Sequence, residues 1–341
     1  MQNKITSVNN LLDHNNNIIE PGYCTEMLPI YNKKTDFISK IKTKEWDYYY
    51  IGNQKYGLAL TIADNGYMGL DSVSFLDFEN KWEITKSPMQ FMTLGKKNHP
   101  LSSINGDLSS KGKNYEISFI NNSSERILSG YMNNFQGNNP IKCNIKLSDI
   151  PKESMVICTP FNKKGCFYYN QKINCMKATG TVSIGSINYI FDNDSSAVLD
   201  WGRGIWTYNN TWYWSSLNTY INGKSFGFNL GYGFGDTSKA SENMLFYEGK
   251  SYKLDLVDFG MPQINSDNDY YKQWHITDNE NKIDLIFEPI LDRKSRTNAI
   301  IIESDQHQVF GKFYGTCILN NETIIKLDGQ LGFAEKVHNR W

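Results

Sequence analysis

The sequence carries no excess of charge of either sign: 35 basic against 36 acidic residues leave a formal net charge of -1 over 341 residues. Such a balance gives no long-range field to attract nucleic acid or an anionic membrane. The pairs Lys33-Lys34, Lys96-Lys97 and Lys163-Lys164 are isolated rather than a stripe, so no nucleic-acid partner is expected. Long apolar runs are missing as well. Nothing approaches the roughly 18 apolar residues of a membrane span, and stable membrane insertion is not expected. The opening Met1-Gln2-Asn3-Lys4-Ile5-Thr6 lacks the apolar core of a secretory signal, which points to a soluble, cytoplasmic protein. The six cysteines (Cys24, Cys143, Cys158, Cys166, Cys175, Cys317) include no CxxC pair. They are expected to be reduced thiols, mostly buried as small hydrophobes. His14, His99, His275, His307 and His338 are scattered without an HxH or HExxH pair, so neither a metal site nor a cofactor is expected. Glu335 and His338, spaced i, i+3, read as a surface pair on a short C-terminal helix.

What the sequence has in quantity is aromatic residues, 14% of the chain. Rings suit a pleated, half-buried surface and bury a large area each. Tyr48 to Ile51, Tyr56 to Ile62 and Val73 to Phe78 read as strands, with turn residues at Gly52-Asn53 and Asp64-Asn65-Gly66. Ile141, Cys143, Ile145 and Leu147 share one face of a strand, as do Phe226, Phe228, Leu230, Tyr232 and Phe234. No segment shows sustained helical periodicity beside a strand, which argues against βαβ units. Short strands at regular spacing predict an all-β, mostly antiparallel sandwich or barrel.

The length implies about two domains. Residues 1–40 hold turn chemistry and read as irregular. The polar break Asp192-Asn193-Asp194-Ser195-Ser196 places the boundary between a first β domain, 41–195, and a second, 196–341, which ends in a short helix over Leu331–Asn339.

Familiar enzyme motifs occur only in fragments. Gly223-Lys224-Ser225 lacks the leading glycine of a phosphate loop and precedes a strand, and Gly223-Lys224-Ser225-Phe226-Gly227 lacks the strand-to-helix turn of a nucleophile elbow. The segment from Leu199 to Ser216 differs from the rest. Trp201, Trp206, Trp212 and Trp214, four of the eight tryptophans, surround Asp200 and Arg203. Both charges amid so much apolar surface need partners. Two readings stand: rings sealing the seam between domains over a buried Asp200–Arg203 ion pair, or a pocket wall with two charged groups aimed inward.

Asp200-Trp201-Gly202-Arg203-Gly204-x-Trp206, Trp212-Tyr213-Trp214-Ser215-Ser216 and Phe226-Gly227-Phe228-Asn229-Leu230-Gly231-Tyr232-Gly233 resemble the hallmark run of the family known as domain of unknown function 2804. So do Thr61-Ile62-Ala63-Asp64-x-Gly66-Tyr67, Thr237-Ser238-x-Ala240-x-Glu242-Asn243 and the ending Ala334 to Trp341, while Thr207 stands where proline is expected. The resemblance covers nearly the whole chain. More distantly the chain is similar to the tandem-lipocalin group, with its carotenoid hydratases and tocopherol cyclases. That similarity implies two lipocalin-like antiparallel β-barrels packed together, with an apolar ligand site near their junction. Three functions follow: an enzyme acting on an apolar small molecule by acid-assisted isomerisation, cyclisation or hydration; a non-catalytic carrier of a lipid-like ligand; or an interaction module without a ligand. For the enzyme, Asp200, Asp236 and Glu242 are the candidate acids and Arg203 an orienting group. Trp201, Trp206, Trp212, Trp214 and Tyr232 are the candidate ligand contacts.

Overall fold

The structure is a computed structural model that describes residues 2–122, 124–264, 267–299, 302–320 and 322–340. Trp341, the last residue of the ending motif, lies outside the described residues, as do residues 300 and 301 of the apolar stretch 299–302, whose composition predicts a strand. Nearly all of the regular structure is strand. Among the described residues the single helix is Phe37–Lys42, started by Asp36, whose side chain accepts from the Ser39 backbone N–H at 3.0 Å. The Asn65-Gly66 turn forms as the sequence predicts. Gly66 sits at φ +81, and Asn65 N–H donates to Met68 O at 2.7 Å, joining strands Tyr56–Asp64 and Met68–Asp77.

Among the described residues two large, strongly curved antiparallel sheets pack together, and Gln263–Ile264 pairs with Asp267–Asn268 in a small third one. The first has 14 strands, with Thr43–Gly52, Ser196–Ile205 and Phe167–Ile184 adjacent at its middle. The second has nine, with Lys224–Tyr232, Asn209–Ile221, Ile324–Arg340 and Ile302–Ile318 adjacent. Each encloses its own core: Tyr49, Ile51, Leu199 and Trp201 belong to the first, and Leu217, Phe226, Phe228 and Phe313 to the second. The outer faces of the two sheets meet in a third apolar layer. Tyr48, Tyr50 and Val198 from the first sheet pack there with Trp214, Phe310 and Phe333 from the second. Strand alternation explains the division, because neighbouring side chains point to opposite faces. Leu199 and Trp201 turn inward, while Val198 and Asp200 turn to the junction.

Two expectations need correction. Leu331–Asn339 is not helical but forms part of the strand Ile324–Arg340. Ala334, Glu335 and Lys336 are good helix formers, but this stretch has hydrogen-bonded neighbours on both sides, and tertiary pairing overrides a weak local preference. The change of sheet also comes later than residue 195: Ser196–Ile205 pairs with Thr43–Gly52 inside the first sheet, and the second begins at Asn209.

The described residues before 41, expected to be irregular, include the strand Gly22–Cys24 and are not loose. Ile5, Leu11, Ile18 and Tyr31 are buried in the first core. Ahead of them, Gln2 and Asn3 cross to the second half. Asn3 N–H donates to Lys239 O at 2.7 Å, Gln2 Nε2 to Leu254 O at 2.9 Å, and Ser241 N–H to Gln2 Oε1 at 2.7 Å.

Candidate functional site

Asp200 and Arg203 do not meet, which corrects the reading that pairs them. They lie three residues apart on an extended strand, not around a tight turn, so alternation sends them to opposite faces. Arg203 points into the first core. Its Nη2 donates to Asp47 Oδ1 at 3.0 Å and to Pro100 O at 2.9 Å, its Nη1 donates to Trp46 O and Gly202 O at 2.8 Å each, and its guanidinium lies 4.1 Å from the Trp201 ring centre. Asp200 points to the junction. There Lys172, directly across the ladder, pairs with its Oδ2 at 2.9 Å, and Asn170 Nδ2 donates to its Oδ1 at 2.6 Å. Gly202, also on the junction face, leaves the space that the Trp46 ring fills; any Cβ there would overlap that ring.

The other expected residues separate as well. Trp201 is fully buried inside the first sheet, whereas Trp214 is buried at the junction and Trp206 and Trp212 are half-buried there. Tyr232 stacks on Tyr213 at 4.4 Å beside Phe259, against the second core rather than the junction. Asp236 is exposed, and hydrogen bonds from Ser238 hold its carboxyl below the usual range, so it is not an acid kept protonated by burial. Glu242 fits the expectation better. Burial raises its pKa, against the pull of Lys172 and a weak donor contact from Asn229 Nδ2 at 3.4 Å. Gly231 makes room for it, since a Cβ there would lie 2.5 Å from Glu242 Oε1.

The structure adds residues that the sequence reading missed. Glu335 is no surface residue: its strand turns it into the junction, 8% exposed. Trp212 Nε1 donates to its Oε1 at 3.0 Å and Gln308 Nε2 to its Oε2 at 2.9 Å. Both donors are neutral, and desolvation pushes the carboxyl pKa up to about 7. His338, its supposed partner, instead meets Thr211 Oγ1 at 2.8 Å. Lys172 Nζ lies 3.8 Å from the Trp214 ring centre, and Trp214 Nε1 donates to Asn229 Oδ1 at 2.7 Å. The junction thus holds the ion pair Lys172–Asp200 and two carboxyls that burial biases toward the neutral form, Glu242 and Glu335, among tryptophans. The signal for Glu335 was its parity with Phe333 and Val337, legible only if the segment is read with period two.

Next to Glu335 stands an aromatic wall that includes its donor Trp212. Trp206, Trp212 and Phe234 make mutual edge-on contacts, with centroids 5.0 to 6.0 Å apart. On the outer side of Phe234 stands Phe161, at 5.2 Å. Beyond lies an open cleft of about 460 Å³ bordered by Phe161, Thr211, Gly233 and Asp236.

A family model described as Domain of unknown function (DUF2804) matches residues 2–341. No curated protein matches the sequence. Among solved structures, an AttH-type protein from Nitrosomonas europaea superposes with a TM-score of 0.50 at 9% identity, over 93% of this chain and 98% of that one. This likeness shows the fold. Kievitone hydratase from Nectria haematococca overlaps at TM-score 0.46 and 11% identity over 98% of each chain. CghA bound to Sch210972 does so at 0.47 and 7%, over 97% of this chain and 96% of that one.

Proposed function

Given that the chain belongs to the DUF2804 family, whose description assigns no chemistry, we propose from the site itself that the junction is a proton-transfer site for a small molecule with an apolar, π-rich centre. The observation that supports this is the state of Glu335: a buried carboxyl held by a tryptophan N–H and an amide, with a pKa raised to about 7. Groups poised near neutrality by burial are what general acids require. A purely structural seam gains nothing from a carboxyl that it must desolvate.

In this reading the substrate enters from the cleft and displaces part of the wall of Trp206, Trp212 and Phe234, so that its π-rich centre reaches Glu335 behind it. Glu335 donates its proton to an alkene or enol carbon, and the C=C π pair forms the new C–H bond. The cation left on the neighbouring carbon faces tryptophan rings, which stabilise it. Loss of a different proton to the Glu335 carboxylate completes an isomerisation. Attack by a substrate hydroxyl or by water, with its proton passing to the same carboxylate, completes a cyclisation or hydration. Lys172 and Asp200 hold the floor of the site, and Glu242 is the second carboxyl within its field.

The test uses untargeted mass spectrometry. The protein is incubated with a small-molecule extract of its source cells in D₂O, and products are returned to H₂O before analysis. At least one compound should carry a non-exchangeable deuterium. Glu335→Gln should slow its appearance by about 10²–10⁴-fold, the usual contribution of a positioned acid. No labelled compound with the parent, or equal labelling by Glu335→Gln, would overturn the assignment.

A further inference from the structure

The cleft outside the aromatic wall has a lining unlike the junction behind it. Three amides (Asn162, Asn209, Asn210), four hydroxyl side chains and the Asp236 carboxylate border it, with one ring, Phe161, and none of its lining residues is basic. Its volume of about 460 Å³ falls within the range of about 300–1,000 Å³ typical of small-molecule sites. The segment that shapes it is fixed. Gly233 and Gly235 adopt left-handed φ values of +91 and +73, and a Cβ on Gly235 would lie 2.7 Å from Thr159 Cγ2. Asp236 N–H donates to Pro160 O at 2.7 Å, and Asp236 Oδ1 accepts from Ser238 N–H at 3.0 Å, so backbone contacts aim the carboxylate. Asn210 is held by Thr207 on both sides of its amide, at 2.6 and 2.7 Å.

Donor and acceptor chemistry narrows the ligand. A phosphate or carboxylate would meet the Asp236 charge, and the cation acting on that carboxylate, Lys239, lies outside the lining. A hydrocarbon would desolvate amides and hydroxyls without replacing their hydrogen bonds. A polyol satisfies both sides: each of its hydroxyls donates once and accepts, an asparagine amide does the same, and a carboxylate accepts from two neighbouring hydroxyls. The half-buried Phe161 ring, braced edge-on by Phe234, offers a flat apolar surface to the C–H face of a sugar ring.

We infer that this cleft binds a polyhydroxylated ligand, a free saccharide or the glycosyl part of a conjugate, through Asp236, Asn162 and Asn209 with Phe161 beneath the sugar ring. The inference stands on the cleft alone and does not depend on proton transfer by Glu335. It is tested by saturation-transfer NMR on the full chain with gluco-, galacto- and manno-configured disaccharides and their 4-nitrophenyl glycosides. At least one probe should receive saturation on its ring protons, and Asp236→Ala should weaken its binding about tenfold or more. Asp236→Asn, which keeps one acceptor, should fall between. Glu335→Gln should bind the same probe as the parent does. Binding of disaccharide and glycoside alike marks a free saccharide as the ligand, and binding of the glycosides alone marks a conjugate. If no probe receives saturation, or if Asp236→Ala binds as well as the parent, the cleft is not a polyol site.

Discussion

Glu335 should make the stability of this protein depend on pH in a direction opposite to that of most carboxylates. Its pKa rises from the ordinary 4.5 to about 7 on folding. Between those values the folded state binds more protons than the unfolded one, so stability falls as pH rises. The contribution is fully present below about 4.5 and lost once pH has passed about 7; a shift of this size is worth on the order of 3 kcal/mol. Glutamine cannot ionise. Chemical denaturation of parent and Glu335→Gln across this window should therefore show the variant gaining relative to the parent as pH rises. A constant difference between the two curves would mean that Glu335 is ionised throughout.

Lys172 and Asp200 pose a separate question at the same scale. Both are buried and bonded to each other, so removing either strands a charge at a cost of about 3–5 kcal/mol. Asp200→Leu and Lys172→Met should each lower the denaturation midpoint, and the double variant should recover much of the loss. Arg203→Met should be equally damaging yet additive with the Asp200 change, because the two side chains occupy opposite faces and share no partner. Strong coupling between positions 200 and 203 would contradict this geometry.

At the level of single elements, most strands were legible and one was not. The Asn65-Gly66 hairpin and the alternation at 141–147 follow from turn chemistry and period two, which act locally. Leu331–Asn339 does not, because its strand state depends on partners distant in sequence: Asn209–Leu217 on one side and Glu303–Lys312 on the other. The same cause hid the site. Lys172 and Glu335 acquire their meaning from Asp200, Trp214, Trp212 and Gln308, none of which is near in sequence. The tryptophan cluster was visible, but half of its expected role dissolved once alternation sent Trp201 and Arg203 inward. Hydrogen exchange gives a direct check on the corrected element. Backbone amides of 331–337, paired on both sides from Gly332 on, should exchange among the slowest in the chain, and those of the edge strand Lys250–Lys253 much faster. Rapid exchange at 331–337 would be inconsistent with a central strand.

Across the whole molecule, the two curved sheets are joined by a packed aromatic seam and by the crossing of Gln2 and Asn3 to Lys239, Ser241 and Leu254. That crossing bears on the order of assembly during synthesis. Residues 2 and 3 leave the ribosome well before their partners, which follow only after about 235–250 more residues, about 12–50 seconds later at about 5–20 residues per second. The leading segment must wait unpaired while the first sheet forms over it, and it can latch only when the second half is in place. A segment made long before its partners is thus among the last to be secured.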